Sequence, residues 1–249
     1  MTPLDTERAT ADAAAAGAAV KRDYVKKMFS DIAPYYDRVN RIISFRLDQW
    51  WRGKAIKELN IGKDPGGMYL DLCAGTLDIA SQIGARRDFH GSIVAADFAE
   101  PMLRAGLCKV SRDVVRPVTA DALDLPFVDG FASGAIVVFG IRNVVDLNGA
   151  LREVHRVLRP GSGFVILEFG ATQSPWVGWI YRLYFNKLCP MIGNAVARHH
   201  SAYNYLPKSV AHFPTETNLA QRMRDAGFVA VRWHSYTFGV VAIHVGEKI

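Results

Sequence analysis

The 249-residue chain is 50% apolar, enough to bury a full core as one α/β domain carrying an insertion. Its 30 basic and 24 acidic residues leave a charge of +6, a dispersed surplus that favours an anionic partner such as a lipid headgroup layer. No basic run carries interleaved aromatics, so no nucleic acid is expected, and no stretch reaches the roughly 18 apolar residues of a membrane span.

The first 20 residues carry acids at Asp5, Glu7 and Asp12 and an alanine run from Ala13 to Ala16. A signal peptide wants a basic start and an apolar middle, and a transit peptide avoids acids. Residues 1–20 are therefore expected to form a mobile tail, residues 21–249 a single domain, and the protein to be cytoplasmic. From Tyr24 to about Leu59 the pattern is helical and aromatic, broken by Pro34 and near Ser44. Such a segment ahead of a first strand (about 21–60) is expected to cover a ligand crevice.

Apolar runs predict strands near 68–73, 92–97, 116–119, 133–139 and 163–169, separated by helices near 77–86, 99–110 and 147–158. That alternation predicts a parallel sheet with helices on both faces. Leu158-Arg159-Pro160-Gly161-Ser162-Gly163 is expected to stop a helix before the fifth strand. An aromatic insertion then spans about 170–212, with Trp176, Trp179, Tyr181, Tyr184, Phe185, Tyr203 and Tyr205, and is expected to act as a lid. A helix ending at Ala226-Gly227-Phe228 leads to two adjacent strands near 229–236 and 240–246, which can pair only antiparallel because no crossover separates them. The expected fold is α/β: a Rossmann-like, mostly parallel seven-stranded sheet with an antiparallel last strand. Three cysteines, Cys73, Cys108 and Cys189, lack C-x-x-C spacing and predict buried thiols in a reducing compartment, with neither disulfides nor a metal site.

Chemistry concentrates at the strand ends. Tyr69-Leu70-Asp71-Leu72-Cys73-Ala74-Gly75-Thr76-Leu77-Asp78 is an apolar run with an acid, a glycine turn and a helix start. The second strand ends at Asp97, whose two oxygens suit both hydroxyls of a ribose. A dinucleotide fingerprint needs G-x-G-x-x-G, and this turn offers Gly75 alone. Asp71 ahead of so short a turn suits a cationic, phosphate-free ligand, S-adenosylmethionine. Gly75 and Thr76 are placed under its methionine portion, Asp121 beside Ala122 at its adenine amine, and Phe98 and Met102 on its ring faces. The fourth strand ends in Phe139-Gly140-Ile141-Arg142-Asn143, where Arg142 is placed to hold a phenolate oxygen and lower its pKa. The His199-His200 pair is a candidate base.

Several runs fall in order along the chain: Tyr35-Tyr36-Asp37-Arg38-Val39-Asn40, the Phe139 to Asn143 run, Arg156-Val157-Leu158-Arg159-Pro160-Gly161, and Leu167-Glu168-Phe169. Tyr203-Asn204-Tyr205-Leu206, Asp225-Ala226-Gly227-Phe228 and Gly239-Val240-Val241-Ala242-Ile243-His244 complete them. With these the chain, from about Val25 to Ile249, resembles the ubiquinone/menaquinone biosynthesis C-methyltransferases, whose architecture is that of class I methyltransferases. The resemblance implies methylation of a ring carbon on a polyprenyl benzoquinol, naphthoquinol or both. It implies donor contacts at Thr76, Asp97, Asp121 and Ala122, and active-site roles for Tyr36, Arg142 and Asn143. It further implies peripheral contact with the inner face of the membrane, and a homodimer or a quinone-synthesis assembly. Leu77 stands where the family usually has glycine, and Val138 where some members carry a polar residue. Two alternatives stand beside this reading: a methyltransferase for another phenolic or lipid acceptor, and a non-catalytic lipid-binding member, the latter motivated by Leu77.

Overall fold

Short apolar runs covered on both faces build the centre of the molecule. The computed structural model describes residues 20–170 and 200–249, with backbone alone for 200–204. The expected tail lies outside the described residues except for Val20, as do Trp176, Trp179, Tyr181, Tyr184, Phe185, Cys189 and His199. The strands are β1 (Met68–Leu72), β2 (Ser92–Asp97), β3 (Val115–Thr119), β4 (Ala132–Val138), β5 (Leu158–Phe169), β6 (Val229–Tyr236) and β7 (Val241–Glu247). They lie in the order β3-β2-β1-β4-β5-β7-β6, and β7 runs antiparallel to both of its neighbours. The remaining pairs are parallel. This is the sheet that the sequence pattern predicts.

Helices α3 (Leu47–Glu58), α4 (Asp78–Gly84) and α5 (Glu100–Gly106) cover one face, where Trp51, Ile56, Ile83 and Leu103 pack in one cluster with Ile136, Val165 and Ile243. Helices α6 (Leu147–Val157) and α8 (Glu216–Asp225) cover the other, with Leu151, Val154 and Met223 against Leu70, Val137 and Ile166. The spacing explains the assignment: α6 buries Ala150, Leu151, Val154 and Val157, one stripe of a 3.6-residue period. Thr215 opens α8 by accepting from the Asn218 backbone N–H, and Gly227, at φ +101°, closes it.

Two expectations are corrected. β5 begins at Leu158, directly where α6 ends, so the Arg159-Pro160-Gly161 stretch expected as a connector is strand. Ala132 faces Leu158 while Gly134 faces Gly163, and this bulge, with Gly161 at φ +78°, absorbs the extra residues. Cys108 is exposed on the short 3-10 helix Leu107–Lys109, and Cys73 is only half-buried in the turn that follows β1.

The aromatic N-terminal segment forms α1 (Lys21–Ile32), α2 (Tyr36–Ile43) and α3. With α7 (His200–Ala211) the first two close a third apolar cluster of Val25, Met28, Ile32, Val39, Ile43 and Tyr205. Tyr205, expected in a lid, is 2% exposed and part of the core. Among the described residues no helix is long and apolar enough to cross a membrane.

Candidate functional site

The strand order reverses between β1 and β4, and the connections on either side diverge, opening a crevice at the carboxyl ends of the parallel strands. It is lined mainly by apolar side chains, with Asp97, Asp121 and Asn143 as polar groups among them, the make-up of a small-ligand site. Two glycines shape it. Gly75 holds φ +52°, a left-handed conformation costly for other residues. At Gly140 an added Cβ would collide with the Cβ of Cys73, so only glycine lets the ends of β1 and β4 approach this closely.

Asp97 closes the end of β2 on the crevice wall. Its Oδ2 accepts from the Gly75 backbone N–H and its Oδ1 from that of Ala99, each at 2.8 Å. Burial pushes its pKa up and these backbone donors pull it back. Each oxygen keeps a second lone pair, which two vicinal hydroxyls could fill. Past β3, Asp121 Oδ1 accepts from the Leu123 backbone N–H at 3.0 Å, and Oδ2 pairs with Arg22 of α1 at 2.7 Å. Ala122, Phe98 and Met102 share that wall, and Arg22 and Phe29 bring α1 across it. Lys21 fixes the helix there, its Nζ donating to the carbonyls of Arg142 (3.0 Å) and Val144 (2.9 Å).

Two expected donor contacts stand off the wall. Asp71 is 2% exposed beneath the turn, and its Oδ2 accepts from the Ala80 backbone N–H at 3.1 Å. It thereby caps α4, whose N-cap residue Leu77 supplies no side-chain bond. Burial raises its pKa to about 7. Thr76 Oγ1 donates to Asp37 Oδ1 at 2.5 Å, and Asp37 also pairs with Lys109, which reaches Asp78 at 2.6 Å. This network ties α2 to the glycine turn. Asp37 was not singled out from the sequence, where its only signal was its place in the Tyr35-Tyr36-Asp37 run.

At the end of β4 the short helical turn Ile141–Asn143 separates its two polar residues. Asn143 is 8% exposed on the crevice wall, and its Oδ1 has no hydrogen-bond partner among the described residues. Arg142 lies behind it. Its Nη1 pairs with Glu168 Oε2 at 2.9 Å and donates to the Phe139 carbonyl at 2.5 Å, and its guanidinium lies over the Phe169 ring. Tyr36 faces the crevice; burial pushes its phenol pKa up, against the pull of Arg52 and Arg142. Leu77 is fully buried in the apolar cluster of α3 and α4, away from the wall, whereas Val138 lines it. Of the candidate bases, His200 is described by its backbone only.

A sheet wound this way, with a ribose-sized carboxylate site and no phosphate loop at its switch point, belongs to an S-adenosylmethionine-dependent methyltransferase of class I. Solved structures agree on the fold. The [4+2]-cyclase SpnF superposes with a TM-score of 0.65 at 14% identity, covering 90% of this chain and 95% of its own. Phosphoethanolamine N-methyltransferase 2 of Haemonchus contortus, solved with S-adenosyl-L-methionine, gives 0.55 at 13% identity over 74% of this chain and 49% of its own. The ubiE/COQ5 methyltransferase family profile matches residues 18–248, and the chain belongs to that family. It is 44% identical to the demethylmenaquinone methyltransferase of Thermus thermophilus, over 89% of this chain and all of that one. It is 38% identical to the ubiquinone/menaquinone biosynthesis C-methyltransferase UbiE of Geotalea daltonii, over 92% of this chain and 97% of that one.

Proposed function

We propose that the protein methylates a ring carbon of a prenylated quinol, a demethylmenaquinol or a methoxy-polyprenyl-benzoquinol, at the inner face of the membrane. The two relatives named above carry that activity in their names, and the crevice supports it. The donor supplies a methyl group on a positively charged sulfur. Asp97 would hold its ribose, Gly75 its methionine end, and Asp121 its adenine amine, between Phe98 and Met102. Asp71 and Thr76 act one layer back, fixing the turn on which the donor rests.

The observation that carries the acceptor reading is Asn143 Oδ1, a buried acceptor on the wall with no partner among the described residues. A buried polar atom left unpaired costs about 1–3 kcal/mol, so such an atom in a crevice awaits a donor. A quinol hydroxyl bonded to it gains electron density at oxygen and passes it to the neighbouring ring carbon, which attacks the methyl. The S–methyl bond breaks with its electron pair kept by sulfur, which becomes the neutral thioether of S-adenosylhomocysteine, and the proton on the methylated ring carbon passes to water, restoring aromaticity. Tyr36, kept protonated by burial, offers a second hydrogen bond, and Arg142 holds the turn that carries Asn143. The homodimer or quinone-synthesis assembly implied by the family resemblance belongs to the same reading.

The test is a transfer assay with labelled donor on a reduced benzoquinol and a reduced naphthoquinol, each with a short prenyl tail, followed by mass spectrometry. Carbon methylation of either is the expected result. Methylation on oxygen, or no transfer by protein that binds donor, would overturn the acceptor reading.

A further inference from the structure

The glycine turn that would carry the donor is strained. Cys73, Gly75 and Leu77 hold φ of +52°, +52° and +63°, in the left-handed region that side chains disfavour. Such a turn persists only where its surroundings over-determine it. From beneath, Asp97 accepts from the Gly75 backbone N–H and Asp71 from that of Ala80. From the outer side it is held at Thr76, by two contacts that both lead to Lys109.

The first contact runs through side chains. Thr76 Oγ1 donates to Asp37 Oδ1 at 2.5 Å, and Asp37 Oδ2 pairs with Lys109 Nζ. The second runs through backbone. A Cβ added to Gly106 would collide with the Thr76 carbonyl, so the end of α5 abuts the turn directly, and the short helix Leu107–Lys109 follows it. Lys109 is itself fixed on α4: its carbonyl accepts from Ser81 Oγ at 3.1 Å, and its Nζ lies 2.6 Å from Oδ1 of Asp78, the first residue of that helix. One ammonium therefore joins two carboxylates, with the Lys109, Asp37 and Asp78 side chains only 19%, 25% and 15% exposed. Poor solvation makes these charges count, and without the ammonium Asp37 and Asp78 would repel. Asp37 directly follows Tyr36 on α2, and Tyr36 faces the crevice.

We infer that Lys109 is a positioning residue for methyl transfer, holding Asp37 and Asp78 on one ammonium so that the donor turn and Tyr36 keep a fixed separation. It lies off the crevice wall and acts through Asp37, which meets Thr76 on one side and carries Tyr36 on the other. The inference rests on the donor and acceptor placements proposed above. Its two ends are read separately: donor affinity reports the turn, and kcat reports the separation.

Lys109→Met should weaken binding of S-adenosylhomocysteine about 10-fold by calorimetry, the weight of one hydrogen bond to a charged group. It should lower kcat about 100-fold at saturating donor and quinol, the cost of a misplacement of about 1 Å. Asp37→Asn should weaken the donor by a similar factor, and the double variant no more than the worse single, because both changes break one link. Lys109→Met/Asp78→Asn removes the repulsion yet leaves Asp37 unanchored; it should unfold in urea like the native chain and still turn over slowly. The inference is overturned by folded variants that lose stability alone, with native donor affinity and kcat, since Lys109 would then be only a brace. It is equally overturned if the donor losses of Lys109→Met and Asp37→Asn add in full. Failure of the quinol reading shows separately, as native protein that binds donor and transfers to neither quinol; calorimetry of the variants then still decides the donor end.

Discussion

Glu168 holds Arg142 from behind the crevice: Nη1 lies 2.9 Å from Oε2, with the two side chains 2% and 7% exposed. The pair engages the Arg142 guanidinium away from the crevice wall, so Arg142 is expected to act by positioning. Its guanidinium pins the turn after β4 by donating to the Phe139 carbonyl. Arg142→Ala strands a buried carboxylate, and a loss of about 3–5 kcal/mol in urea unfolding is expected. Arg142→Met with Glu168→Leu should recover most of that stability, yet transfer should stay low because Asn143 is no longer held. A double variant with native transfer would show that neither side chain matters to the reaction.

Donor binding should depend on the charge of Asp97. Asp97→Asn keeps one of the two oxygens that accept from the Gly75 and Ala99 backbone N–H groups, turns an NH2 toward the other, and loses the charge that strengthens hydrogen bonds to a ribose. Such bonds contribute about 1.5–3 kcal/mol, so affinity for S-adenosylhomocysteine should fall about 10- to 100-fold by calorimetry. Unchanged affinity would place the ribose elsewhere.

The sheet was legible because its signals are local. Apolar runs of strand length placed β1 to β4 to within about a residue, with an acid at or near the end of the first three, and Asp97, Asp121 and Asn143 do meet on one wall. What the sequence hid is which partner each polar group takes across the fold. Arg142 and Glu168 are 26 residues apart and Asp37 and Thr76 are 39 apart, and no periodicity announces such pairs. The cap that Asp71 makes on α4 was hidden likewise: an acid before a glycine turn looks alike whether it faces a ligand or caps the next helix. β5 was shortened because proline and glycine read as a stop, although a bulge accommodates both.

Leu77 is strained but useful. It holds φ +63° at the start of α4 and is fully buried in the core. Leu77→Gly would relieve about 1–2 kcal/mol of left-handed strain but remove a buried side chain whose loss costs about 2–5 kcal/mol. Net destabilisation is expected in urea, with donor affinity unchanged because the side chain points away from the crevice. Tighter donor binding in the variant would mean that Leu77 does crowd the ligand.

Asp71 should make stability fall with rising pH. Burial lifts its pKa from 3.8 to about 7, so between those values the folded chain keeps a proton that the unfolded chain has released. Stability is therefore lost as pH rises through that window, by as much as about 4 kcal/mol. His244, lowered to about 4 by burial, acts in the opposite sense below its usual 6.5, gaining stability as pH rises. Asp71→Asn isolates the first effect, since His244 is common to both proteins and asparagine still accepts from the Ala80 N–H. Urea unfolding at a series of pH values should show the variant gaining on the native chain as pH rises toward 7, and level thereafter. A difference independent of pH would mean that Asp71 is ionised throughout, with its charge met by Arg52 or by water.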